Sequence, residues 1–296
     1  MKIITAGYRH LALSLTLLIF ASTTMAAPRV VVSIPPLHSL VSGLMTGVAD
    51  PVLLMEGGEV DKASLTPSQK LQLVAADMVI WVGAGLEKQI SRAVQNEFPA
   101  MERNMYALSN HLPLLPKSAD IPGQLLMPDA RQDYSDLGFW ADPKLAAMAV
   151  RHITPKLVQL DPDNADTYLK NEVKLLTRIK EMGRQLAETL APYRGSLGIN
   201  DSVPTYLAWR YHLYGSQQIT LASADATESY IAGCQNFMKV GQDQPDAGIS
   251  DLYGSNLKPG AELYFQMMQR QAGFITSCDQ KTKTIADRTA QQKNRT

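Results

Sequence analysis

The stretch GGEVDKASLTP, Gly57 to Pro67, places two glycines before a set of polar side chains and then Ser64-Leu65-Thr66-Pro67, which opens a helical run. Flexible backbone followed by a turn and a helix start can hold a ligand, and the side chain there with the most definite chemistry is Asp61. Its carboxylate can take a cation, a hydrogen-bond donor or a proton. Glu59, two residues earlier, reads as solvated, with one further oxygen to offer. Other reactive groups are sparse: the chain has five histidines and two cysteines. His38 follows a strand, near where a crevice is expected, and is a candidate ligand; His152 and His212 read as helix-surface or packing residues. Trp81, Trp140 and Trp209 read as core or cleft-wall aromatics. No Gly-x-Ser-x-Gly elbow, His-Glu-x-x-His helix or Gly-x-x-x-x-Gly-Lys phosphate loop occurs in the sequence, so the motifs of hydrolases, zincins and P-loop enzymes give no enzymatic reading.

The balance of charge narrows the partners. Basic and acidic residues both number 28, so no field recommends nucleic acid or a membrane surface. With 45% hydrophobic and 19% charged residues over 296 positions, the composition is globular and long enough for two lobes with cores of their own. Residues 1–26 read as a signal peptide outside the fold. Lys2 and Arg9 give a positive start, Leu11 to Ala21 is an apolar run too short to span a bilayer, and Thr24-Met25-Ala26 offers a small-residue cleavage site. Its removal takes two basic residues and no acid. No lipobox-type cysteine follows the run, which points to a soluble periplasmic protein. In that oxidising compartment Cys234 and Cys278 suit one disulfide, stabilising by about 4 kcal/mol in the chain-entropy model; two free buried thiols are the alternative.

Hydrophobic periodicity supplies the frame for these groups. Arg29 to Ile34 reads as a strand stopped by Pro35-Pro36, His38 to Met45 as a helix, and Pro51 to Met55 as a strand. Leu71 to Ala76 reads as a helix, Asp77 to Val82 as a strand, Leu86 to Glu97 as a helix and Met105 to Leu108 as a strand. This alternation predicts a parallel sheet with helices on both faces, and ligands at the carboxyl ends of its strands. Asn110 to Ser135 reads as a long loop, and helix resumes at Pro143. Asp161 to Leu190 predicts one long helix, capped by Asp161 and Pro162, with Leu169, Leu176, Ile179, Met182, Leu186 and Leu190 on one face. Some 30 residues give about 45 Å, enough to run the length of two lobes. Beyond it a helix starts near Pro204, Gln218 to Leu221 reads as a strand, and Glu262 to Thr276 as an amphipathic helix. The fold class is therefore α/β: two lobes with parallel-type sheets flanked by helices, joined by one long rigid helix. The expected divisions are 27–142 for the first lobe, 143–192 for the helical segment and 193–296 for the second lobe.

Four blocks in order carry a resemblance: SIPPLHSLVSGLMTGV, ADMVIWVGAGLE, FWADPKLAAMAVRHITPKLVQLDPDNADTYLKN and DLYGSNLKPGAELYFQMMQRQAGFITSC. Together they resemble the zinc-specific periplasmic binding proteins of metal ABC transporters, over most of the chain after residue 26. The resemblance implies the long helix as a backbone between lobes, a divalent cation (Zn or Mn) as cargo, an ABC permease as partner, and a monomer. Ser277-Cys278 is similar to members with a disulfide in the second lobe.

The ligands implied by that family transfer position by position. Its first histidine lies in Gly-Ala-Ser-x-His-x-Tyr-Ser-Leu-x-Pro, and counting back from Pro67 puts Asp61 there. Its second lies two residues before the Trp of Asp-x-His-x-Trp, where this chain has Gly138. Its third falls on Asn200 when the acid of Asn200-Asp201-Ser202 is matched, or on Pro204 when counted back from Tyr214-Gly215. Its fourth ligand, the acid of Asp-Pro-Leu-Gly, survives as Asp251 in Asp251-Leu-Tyr-Gly254. The His-rich loop of many members is absent, since 110–135 contains only His111, and the stretch from Asn200 to Asp251 is shorter than in the family. Zinc favours imidazole and thiolate, whereas oxygen donors suit Mn, Mg or Ca. Two functions stand side by side: a metal receptor with an altered ligand set, and a metal-free accessory or partner-binding protein on the same scaffold.

Overall fold

The computed structural model describes residues 27–56, 60, 64–116, 136–195, 204–213 and 251–276. Asp61, Asn200, Cys234, Cys278, most of the loop read at 110–135 and the strand read at 218–221 lie outside the described residues. Four parallel strands, β1 (Val30–Val32), β2 (Val52–Leu53), β3 (Met78–Trp81) and β4 (Met105–Ala107), form a sheet in the order β2-β1-β3-β4. Every residue of β1 and β3 is buried. Central strands covered on both faces need apolar side chains on both, which is why VVV and MVIW do not alternate. The chain steps from β1 outward to β2 and then returns to the other side of β1 as β3, so the crossover direction reverses between β1 and β3. Parallel α/β sheets open their ligand crevice at such a point, beyond the carboxyl ends of the strands.

The helices around the sheet begin earlier than periodicity suggests. Pro35 and Pro36 do not only stop β1: they occupy the first turn of α1 (Pro35–Met45), where a missing N–H costs nothing. α2 (Pro67–Val74) starts four residues before Leu71 because Thr66 and Gln69 form a reciprocal capping box, at 3.3 and 2.9 Å. Gln69 also donates to the Leu54 carbonyl at 2.9 Å, tying this helix start to the end of β2. α3 (Lys88–Asn96) and α4 (Pro143–Leu160) follow, the latter capped by Asp142.

The long helix α5 spans Ala165–Leu190, and a short 3-10 turn at Pro162–Asn164 precedes it, so its 26 residues extend about 39 Å. Its buried stripe is Tyr168, Asn171, Leu175, Ile179, Met182, Leu186 and Leu190. Ile179, Met182, Leu186 and Leu190 lie on the face that periodicity predicts, whereas Leu169 is 48% exposed and Leu176 half-buried, each about 100° around the axis from a buried neighbour. Asn171 belongs to the stripe for a polar reason. Its amide donates to the carbonyls of Leu44 and Thr46 at 2.9 and 2.8 Å, satisfying groups that the C-terminus of α1 leaves unpaired. α6 (Thr205–Arg210) and a last helical stretch, 263–276, complete the described elements.

One carboxylate joins the two central strands at their carboxyl ends. Glu87, with no solvent exposure, accepts from the Ser33 hydroxyl at 2.5 Å, from Val82 N–H at 3.0 Å and from Gly83 N–H at 2.8 Å. Ser33 follows β1, and Val82 and Gly83 follow β3. Burial, which disfavours the charged form, outweighs these three donors, and the Glu87 carboxyl is pushed up to about 7. The unfolded chain releases this proton near 4.5 and the folded chain only near 7, so the contribution is complete below the lower value and is lost as pH rises through the higher one. Glu87→Gln removes this titration. In urea unfolding at pH 5 and pH 8, the fall in stability between the two is expected to shrink by about 2–3 kcal/mol relative to the parent; an unchanged fall would assign no titration to Glu87.

Candidate functional site

The turn that carries Glu87 also holds the loop of the opening motif. Gln89, buried two residues further on, donates to the Val60 carbonyl at 2.9 Å and to Met55 Sδ at 3.1 Å. Val60 itself is buried in the core. Asp61 lies outside the described residues, but the residue before it is anchored to α3 through this amide. The carboxyl ends of β2 and β3 are thus linked by two side chains of one helical turn, Glu87 and Gln89.

A second junction forms where the segment after the long loop meets the chain near the last helix. Gly138 packs directly on Leu252: a Cβ built on Gly138 would stand 3.2 Å from Leu252 Cδ2 and 3.2 Å from Asp136 Oδ1. Trp140, fully buried in the 3-10 turn Phe139–Ala141, donates its indole N–H to the Leu252 carbonyl at 2.8 Å. Gln271 donates to the Asp251 carbonyl at 2.9 Å, and the Tyr264 hydroxyl donates to the Trp140 carbonyl at 3.0 Å. Two positions chosen from the resemblance, Gly138 and Asp251, therefore belong to one packed junction, 112 residues apart for the Trp140–Leu252 bond. Tyr206 of α6 braces it, donating to the Asp136 carbonyl at 2.7 Å while accepting from Leu115 N–H at 2.8 Å.

The donors at this junction are oxygens. Asp251 Oδ1 accepts from Tyr253 N–H at 3.0 Å and from the Ser255 hydroxyl at 3.2 Å, and Oδ2 accepts from Ser255 N–H. These bonds fix the carboxylate in a turn completed by Gly254, whose φ of 66° suits glycine. A carboxylate has about four lone-pair directions, and three are taken here, leaving one to accept a further group. Asp136 accepts from Gly138 N–H at 2.8 Å through Oδ1, and its other oxygen has no partner among the described residues. Sequence reading passed over Asp136, although an acid two residues before Gly138 in Asp-Leu-Gly was the signal available.

The remaining candidates sit elsewhere. His38 is buried in α1, its Nε2 3.0 Å from the Pro51 carbonyl and its Nδ1 3.5 Å from Ser42 Oγ. Pro51 precedes β2, at the amino end of the strand and away from the carboxyl ends where the crevice opens, and burial lowers the pKa of the ring. The ring packs within the first lobe. Pro204 is buried as the residue before α6, its carbonyl already accepting from Ala208 N–H. His152 is half-buried and stacks on His111 at 5.5 Å, while His212 is exposed with φ 56°. Trp81 ends β3, buried, with no hydrogen-bond partner for its indole N–H among the described residues. No group of three or more His, Cys, Asp or Glu side chains placed to hold a metal occurs among the described residues.

Comparison with known proteins gives consistent matches. The family described as "Zinc-uptake complex component A periplasmic" (ZnuA) matches residues 30–242. The High-affinity zinc uptake system protein ZnuA of Brucella abortus (strain 2308) is 24% identical over 317 residues, covering 88% of this chain and 94% of that protein. A crystal structure of ZnuA superposes with a TM-score of 0.57 at 18% identity, over 85% of this chain and 99% of that one. The solute-binding protein FpvC of Pseudomonas aeruginosa in complex with Mn2+ superposes with a TM-score of 0.60 at 16% identity, over 86% and 99%.

The Asp251 turn yields a stability prediction independent of any ligand. Asp251→Ala strips the partner from two backbone N–H groups and is expected to lower the unfolding free energy of the metal-free protein by about 1–2 kcal/mol. Asp251→Asn, which keeps one acceptor oxygen, should lose less. Equal denaturation midpoints for the parent and the alanine variant would show that the carboxylate does not hold the turn.

Proposed function

Because the chain belongs to the periplasmic zinc-uptake complex component A family, we propose that it is the solute-binding component of a zinc-type ABC uptake system, taking a divalent cation and handing it to a membrane permease. The single observation that carries this reading is the family match across residues 30–242, which leaves a metal-free accessory role unsupported. The protein is a binding component and not an enzyme. The finer reading is that residues 1–26 are cleaved on export, that the mature chain is a periplasmic monomer, and that it divides at 27–142, 143–192 and 193–296.

The cation is held by oxygen. Asp251 and Asp136 border the Gly138–Leu252 contact, and Asp61, the residue after the anchored Val60, is the third carboxylate we assign to the cation. The Gly138 carbonyl and the Asn200 amide oxygen add neutral donors. Without a cation these carboxylates repel one another, and a divalent ion removes that cost. A side chain at position 138 would press on Leu252 and Asp136, each 3.2 Å from the place of its Cβ, so an imidazole there needs both to give way by a few tenths of an ångström. Such a donor set is harder than the nitrogen-rich shells zinc prefers, so Mn2+ competes with Zn2+ here more effectively than at an imidazole site.

Isothermal titration and thermal melting of residues 27–296 with Zn2+ and Mn2+ test the reading. Heat and a raised melting midpoint are expected with both ions, and Asp251→Asn, measured against its own metal-free midpoint, should lose most of the shift. No heat and no shift with either ion would end the metal reading. Alkylation of the unreduced protein followed by mass spectrometry should find Cys234 and Cys278 protected as a disulfide; two labelled thiols would remove the bridge.

A further inference from the structure

The hairpin of α4 and α5 carries a groove that shares no lining residue with the Gly138–Asp251 junction. It lies between the N-terminal half of α4 and the C-terminal half of α5, has a volume of about 850 Å3, and extends onto Arg194 and the turn at Arg210–His212. Six lysines and arginines line it, Lys144, Arg151, Lys180, Arg184, Arg194 and Arg210, and no aspartate or glutamate does. A chain with equal numbers of acids and bases has therefore segregated its charge at this place.

Two of the six are neutralised. Arg210 donates from Nε to Asp142 Oδ1 at 2.8 Å in an ion pair whose carboxylate is fully buried, and Arg184 pairs with Glu181 and Glu188 on its own helix. Lys144, Arg151, Lys180 and Arg194 have no carboxylate partner among the described residues. All four are exposed, so water screens them, yet they converge on one hollow. Between them the surface is apolar, built from Ala147, Met148, Leu176 and Ala187, each half-buried. The volume falls within the about 300–1,000 Å3 of small-molecule sites.

We propose that this groove binds a small organic anion, with an apolar body laid on Met148 and Leu176 and two or more phosphate- or carboxylate-type groups taken by Lys144, Arg151, Lys180 and Arg194. Lys144 and Arg151 stand seven residues apart on α4, about 10 Å along one face, and Lys180 opposes them from α5, so the groove suits charges at both ends of a body better than one compact ion. The site has the opposite electrostatic sign to a cation site. A metal titration that fails leaves this proposal standing, and failure here leaves the metal reading untouched.

Bis-ANS, an aromatic disulfonate, serves as the probe for residues 27–296. A single saturable site is expected, displaced by inorganic pyrophosphate and weakened by about 0.5 M salt. The double variant Arg151→Glu with Lys180→Glu should bind about tenfold or more weakly while keeping the parent melting midpoint, and Arg151→Gln with Lys180→Gln should fall between. Sedimentation with phosphatidylglycerol vesicles, lost in the same variant, would identify a lipid headgroup as the source of the anion, and its absence a soluble one. Bis-ANS affinity unchanged by the charge reversals, or insensitive to pyrophosphate and salt, overturns the proposal.

Discussion

A carboxylate with no contact to water holds the crevice edge together. Glu87 gathers the hydroxyl after β1 and two backbone N–H groups after β3, joining the ends of the strands between which the sheet reverses direction. The interaction is a compromise between two large opposing effects. Three donors favour the ionised form, complete desolvation favours the neutral one, and desolvation prevails. Gln89 in the same turn holds the carbonyl of Val60, so the first turn of α3 ties down both the strand ends and this residue.

The second support is the docking of the 251–255 turn on the 136–141 segment. It works through saturation: Trp140, Gln271, Tyr264 and Tyr206 each spend a polar group on a carbonyl of the junction, so little freedom remains in how Asp251 and Asp136 are presented. Gly138 lets the two segments approach closely: a Cβ there would stand 3.2 Å from Leu252 Cδ2 and from Asp136 Oδ1.

Charge is distributed unevenly over this neutral chain. Carboxylates border the junction that presents Asp251, while cations, four of them without a carboxylate partner among the described residues, collect in the groove between α4 and α5. Asp142 caps α4 and pairs with Arg210, clamping α6 against it, so this fully buried carboxylate has a cationic partner.

Much of this was written in the chain itself. Continuous apolar runs such as VVV and MVIW fix strands buried on both faces, alternation with helices fixes a parallel sheet, and the ordered blocks from Ser33 onward place the chain in its family, because burial periodicity and turn chemistry are local properties. Periodicity alone missed the start of α1, where Pro35 and Pro36 form the first turn, and at the N-terminal part of α5 it chose Leu169 where Asn171, which satisfies the end of α1, is buried instead. Only the tertiary structure decided that Glu87 is a buried tie, that His38 faces Pro51, that Asp136 joins Asp251 at one junction, and that four distant cations share a groove. Each of these depends on which partner lies opposite across many residues of chain, and no side chain's own type or local spacing contains that information.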